Sequence, residues 1–119
     1  MRRIVIMLVA ALAVAATFAL PAGAKSSGLK GEVNDNFQIK LTKNGVRVKT
    51  LKRGAYTIKI EDKSSSHNFR LRGPGLNKAT TVGFIGERTW KVTLKPGVYT
   101  IQCDPHRLSG MRSTFRVTA

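Results

Sequence analysis

The sequence predicts an all-β protein, a small antiparallel β-sandwich or barrel. Three observations carry that expectation. Short runs of alternating apolar and polar residues recur from residue 31 onward, the pattern of strands with one buried face. Turn-forming residues separate these runs at short spacing. No segment beyond the leader carries a helical period, and about seven short strands at turn spacing suit a sandwich or barrel.

The chain of 119 residues opens with Met1-Arg2-Arg3, an apolar run from Ile4 to Leu20, and then Pro21-Ala22-Gly23-Ala24. A basic start, an apolar middle and a small-residue A-x-A end make residues 1–24 a secretory signal peptide, cut after Ala24. The rival reading is a retained membrane anchor. Its 17 residues lie near the lower limit for spanning a bilayer, and many of them are alanine. No Cys follows the run, which argues against a lipid-modified anchor. The protein is therefore expected to be exported, to a periplasm or to the cell exterior.

Residues 25–30, rich in Ser, Gly and Lys, read as a flexible start, and residues 31–119 as one domain. Phe37, Ile39 and Leu41 alternate with polar neighbours in a first strand, closed by the turn signal Asn44-Gly45. Val46 and Val48 continue the period of two, and Tyr56, Ile58 and Ile60 resume it after Arg53-Gly54. Glu61 to Ser66 is a polar loop that delivers His67, after which Phe69 and Leu71 alternate again. Gly73-Pro74-Gly75 is a turn, because two Gly and a Pro do not sit inside a central strand. Residues 76–88 mix apolar positions with Gly83 and Gly86 and read partly as loop. Trp90, Val92 and Leu94 form a strand, Lys95-Pro96-Gly97 a tight turn, and Tyr99, Ile101 and Cys103 the next strand. Met111, Ser113, Phe115 and Val117 share one face of the last.

The formal charge is +15; without the leader, 19 basic residues stand against 6 acidic ones, a balance of +13. Such a charge steers anionic partners and favours anionic membrane or cell-wall surfaces, but it does not specify a fold. Nucleic acid is not expected as a partner, since the chain is exported and carries no recognition motif. The single Cys is informative in this setting. Exported domains of this size often rely on disulfides, yet one Cys cannot form an internal bridge. Its thiol is buried, paired with another chain, or held by a metal.

Beyond the leader the chain has one Cys, one Met and two His, and three of these four lie in Cys103-Asp104-Pro105-His106-Arg107-Leu108-Ser109-Gly110-Met111. A thiolate, two imidazoles and a thioether are the donors of a trigonal copper site with a weak axial thioether. The spacing C-x2-H-x4-M lets one loop between two strands supply three of them, and His67 arrives from a neighbouring loop. Taken singly, each residue has a plain structural role: a buried Cys is a small hydrophobe, Met111 fills a core, and a loop His is surface. The conjunction is what points to metal. Zinc suits two imidazoles and a thiolate as well, but the thioether adds little for it, and copper(II) outranks zinc in affinity.

His67-Asn68 followed by C-x2-H-x4-M, with Lys95-Pro96-Gly97-Val98-Tyr99 before the Cys strand, resembles the cupredoxins, above all the plastocyanin and pseudoazurin type. The likeness runs from about Phe37 to Thr118. It implies a Greek-key β-sandwich holding one type 1 copper that shuttles single electrons. It implies His67, Cys103 and His106 as strong ligands, Met111 as the weak axial one, and Asn68 as the amide that ties the ligand loops together. Pro105 lacks an N–H to donate toward the thiolate, which would bias the potential upward. His106 would be the electron port, with Leu108 and the Gly73-Pro74-Gly75-Leu76 turn forming an uncharged patch around it. The His-to-Cys gap is shorter than in plant-type plastocyanins, implying a trimmed segment between residues 73 and 88. Arg70, Arg72, Arg107 and Arg112 flank the site where many relatives are acidic, which points to a redox partner with an acidic docking surface.

The function expected is thus an exported, monomeric one-electron carrier. An envelope copper carrier or buffer with the same site, and a metal-free basic β-sandwich that binds acidic surfaces, are the competing readings. An enzyme is not expected. Four protein donors leave no open metal position, and two His in all cannot build the second His cluster of a copper oxidase.

Overall fold

The computed structural model describes residues 27–119, so the signal-peptide expectation for residues 1–24 falls outside the described residues. Ten strands form two five-stranded sheets that enclose one core. They are β1 (Ser27–Val33), β2 (Ile39–Lys43), β3 (Val46–Arg47), β4 (Thr50–Lys52), β5 (Gly54–Asp62), β6 (Arg70–Gly73), β7 (Leu76–Ala79), β8 (Gly86–Leu94), β9 (Gly97–Gln102) and β10 (Arg112–Thr118). One sheet has the order β3-β2-β1-β5-β8 and the other β4-β10-β9-β6-β7. Most ladders are antiparallel, as the sequence predicts. Two are parallel, β1 with β5 and β4 with β10. The chain crosses to the second sheet at β4 before β5 returns beside β1, so β5 arrives pointing the same way as β1.

The period of two sets the core. Tyr56, Ile58 and Ile60 on β5 are buried, as are Tyr99 and Ile101 on β9 and Phe115 and Val117 on β10. Each such side chain contributes about 1.5–3 kcal/mol when fully buried. Tyr99 stacks on Phe115 with ring centroids 5.4 Å apart, and its hydroxyl donates to Pro74 O and accepts from Lys95 N–H. This fastens the β6–β7 turn to the β8–β9 turn.

Four local expectations need correction. Ser27 to Lys30, within the segment read as a flexible start, belong to β1, where Leu29 is buried and the ladder to β5 holds both neighbours. Glu61 and Asp62, read as loop, extend β5, and the alternation carries Asp62 inward to 2% exposure. Val46 lies on the two-residue edge strand β3 and is exposed. Phe37 is not part of β2; it sits in the preceding loop with φ of 56°, a left-handed conformation unusual for a bulky side chain.

Candidate metal centre

The three central strands of the second sheet position the donors. β9 runs antiparallel to both β6 and β10, with Gln102 opposite Arg70 on one side and Arg112 on the other. The C-terminal end of β9 therefore meets the N-terminal ends of β6 and β10. Cys103 follows β9, Met111 precedes β10, and His67 lies three residues before β6. The connection from β9 to β10 is a short 3-10 turn, Asp104–Ser109, with Pro105 in its first turn and Gly110 closing it at φ of 94°. Proline suits that start, since its missing N–H would have had no partner there. Backbone bonds close the loop on itself: Cys103 N–H donates to Met111 O, Met111 N–H to His106 O, and His106 N–H to Cys103 O.

Cys103, His67 and Met111 are almost completely buried and His106 is half-buried. His67 Nδ1 and His106 Nδ1 lie 2.9 Å apart, and each is 3.5 Å from Cys103 Sγ. A triangle with those sides has a centre about 1.9 Å from every corner. Ordinary first-row metal bonds to imidazole and thiolate are about 2.0–2.3 Å. Three lone-pair donors aimed at one point repel one another unless a proton or a cation sits between them, so this donor set fits a metal ion. Burial, and then the facing His106 ring, push His67 below the usual imidazole range, which favours the neutral form that binds metal. Met111 is fully buried and tied through its backbone to both Cys103 and His106, which gives the thioether its place at the same end.

A polar clamp surrounds the donors. Asn68 Oδ1 accepts from Asp104 N–H at 2.7 Å, and Asn68 Nδ2 donates to Thr80 O and to Asp104 Oδ2. The loops carrying His67 and Cys103 are thereby joined. The Asp104 carboxylate also accepts from Arg70 Nε and Nη2 and from Gln102 Nε2, each at 2.9 Å to its nearer oxygen. The Arg70 guanidinium, with help from Gln102 and Asn68, holds this carboxyl far below the usual carboxylate range against the opposing effect of burial. Sequence reasoning had noted Arg70 only as a flanking cation and Asp104 only by its place in the motif.

The expected patch around His106 is not formed. Gly73 and Pro74 pack against Tyr99 and Gly97, at the start of β9, whereas His106 lies beyond its far end. Phe37 covers the site instead. Its ring meets those of both His67 and His106 edge-on, at 4.9 Å between centroids and interplanar angles of 71° and 79°. The turn formers Asn34-Asp35-Asn36 were the one hint that Phe37 leaves the strand.

No protein-family profile and no curated protein sequence matches this chain. Solved structures do. Auracyanin from Roseiflexus castenholzii, in its dithionite-reduced form, aligns over 82% of this chain and 100% of its own at 18% identity, with a TM-score of 0.54. Reduced rusticyanin aligns over 79% of this chain and 80% of its own at 15% identity, with a TM-score of 0.58. A multi-copper oxidase from Pediococcus acidilactici aligns over 84% of this chain but 28% of its own at 13% identity, with a TM-score of 0.53. The fold is that of the cupredoxins. On it, His67, Cys103 and His106 bring their ligand atoms within 4.8 Å of one another, a group that could hold a metal ion.

Proposed function

We propose that this protein is an exported one-electron carrier whose redox centre is a single copper held by His67, Cys103, His106 and Met111. The observation that supports it is the donor triangle of two imidazole nitrogens and one sulfur, 2.9 to 3.5 Å on a side. Copper bound there would supply a couple between Cu(I) and Cu(II), to which thiolate, imidazole and thioether donors are suited. The chain's own part is to keep the donors fixed. His67 and His106 present their Nδ1 atoms, the 3-10 turn fixes Cys103 against Met111, and the Asn68–Asp104 bonds lock one loop to the other. A site held in this way has little to rearrange when an electron arrives or leaves.

The donor count supports transport rather than catalysis, since two imidazoles and a thiolate converge beside the buried Met111 and the chain has no further His for a second copper cluster. Export rests on the leader at residues 1–24. Arg107 and Arg112 are exposed at the site end of the molecule, which favours a redox partner with an acidic docking surface. Arg70 is excluded from that role by its bonds to Asp104 and Asn77.

The test is the visible spectrum of the protein after addition of copper(II), beside Cys103→Ser. An intense blue thiolate-to-copper band in the parent, absent from the variant, is the expected result. A folded parent that binds copper without the band, or binds none, overturns the proposal.

A further inference from the structure

Phe37 is the least expected side chain at this end of the molecule. A bulky residue at φ of 56° is strained, and such strain persists only where surrounding contacts impose it. The loop supplies them. Asn34 Oδ1 accepts from the N–H groups of Asn36 and Gln38, Asn34 N–H donates to Gln38 O, and the two side-chain amides of Asn34 and Gln38 pair at 3.1 Å. Five residues are thus closed into one rigid turn with Phe37 projecting from it. Phe37 as a residue remains 53% exposed, so core burial does not explain the strained conformation. What it touches does: the two imidazoles, edge-on, at 4.9 Å each.

The two rings need this contact to different degrees. His67 is buried and follows directly on the Asp62–Ser64–Ser66 turn bonds. His106 stands on the 3-10 turn, half-buried, with a non-helical backbone inside that turn (φ of −120°). Its ring meets the opposite imidazole, the Cys103 sulfur and Phe37.

We infer that Phe37 is a positioning residue, a latch that holds the His106 imidazole on the donor triangle, so that the site is assembled before metal arrives and releases it slowly. The inference rests on the proposed function for its consequence, slow metal release, but its structural half concerns the metal-free chain alone. A latch of this kind favours an electron carrier over a copper buffer, because a buffer has to give its metal up.

Two variants test it. Phe37→Asn keeps a residue at home in the left-handed conformation and deletes the ring; Phe37→Ala deletes the ring and leaves the strain. In the metal-free protein at neutral pH, acylation of His106 by diethyl pyrocarbonate, located by peptide mass mapping, is expected to run about tenfold faster in both variants, the factor that loss of edge-to-face ring contacts would give. Acylation of His67 should stay slow and the thermal midpoint should move little. In the copper-loaded protein, transfer of Cu(I) to bicinchoninate should quicken by a similar factor while the parent's blue band is retained. Equal acylation of His106 in parent and both variants overturns the latch. A parent that binds no copper overturns the proposed function instead, and the acylation rates of the metal-free chain still decide whether Phe37 holds His106.

Discussion

Replacing Asp104 by Asn removes one charge from the clamp and keeps its shape, which makes it the most informative single change in the fold. The carboxylate accepts from Asn68, from two nitrogens of Arg70 and from Gln102. An amide at this position turns one acceptor into a donor that faces Asn68 Nδ2 or Gln102 Nε2. Gln102 is the sensitive partner, being buried, with an Oε1 that already lacks a hydrogen bond. A bond to a charged group is worth about 1.5–3 kcal/mol, and partial exposure of the Asp104 and Arg70 side chains, 29% and 28%, argues for the lower part of that range. A loss of about 2 kcal/mol lowers the melting temperature of a domain this size by roughly 8 to 16 °C. The pH dependence supplies the stronger check. The Asp104 carboxyl titrates far below its ordinary 3.8 in the folded chain, so its contribution is complete above that value and is lost as pH falls below it. Measured on the metal-free protein, the gap between parent and Asp104→Asn should be constant from about pH 8 to pH 5 and close below about pH 4. A gap that stays unchanged to pH 2, or widens on acidification, would refute the account of the clamp.

Two further outcomes follow from packing and burial. A Cβ on Gly73 would run into the Tyr99 ring, which is fully buried, stacked on Phe115 and hydrogen-bonded at its hydroxyl; Gly73→Ala should cost about 2 kcal/mol by urea titration, and a midpoint equal to that of Gly28→Ala, where a Cβ meets nothing within 4 Å, would contradict this. Burial and the facing His106 keep His67 below 6.5, so the folded chain binds that proton more weakly than the unfolded one and stability falls as pH drops below that value. The metal-free parent should therefore lose more melting temperature between pH 7 and pH 5 than His67→Gln, and equal slopes in the two proteins would rule the effect out.

The donor set and the strand pattern were legible because both depend on residue type and short spacing. C-x2-H-x4-M fits one tight loop, and period-two alternation reads directly as a buried face in β5, β9 and β10. Features that depend on partners distant in sequence were not legible. Alternation of apolar residues cannot tell that Phe37 has left the strand, because a positive φ at one residue is set by side-chain bonds from Asn34. A polar residue such as Asp62 in phase with Ile58 and Ile60 is counted as loop when only polarity is read, although the strand continues through it. Turn chemistry marks Gly73-Pro74-Gly75 as a turn but not the end of the sandwich it occupies. That is decided by the register of β6 on β9, which sends the turn away from His106.

The division of work between the two sheets explains how a site on loops can be rigid. All four donors are attached to β6, β9 and β10, which are neighbours in one sheet and share a ladder register within one residue pair at Gln102. The places of the Cys103, Met111 and His67 backbones are therefore fixed by hydrogen bonds within that sheet and by the Asn68–Asp104–Arg70 clamp, whose members sit at the ends of the same strands. From the other sheet, Phe37 reaches the site from the turn between β1 and β2. A small shift of one sheet against the other would leave the backbone bonds of Cys103, His106 and Met111 intact and change the contact that holds the His106 ring. The pairing of Cys103 with Met111 and the cover over His106 thus depend on separate parts of the fold. Substitutions in the β1–β2 turn should loosen the His106 ring and leave the Cys103–Met111 backbone pairing in place, and substitutions in the clamp should loosen the His67 loop from the Cys103 loop.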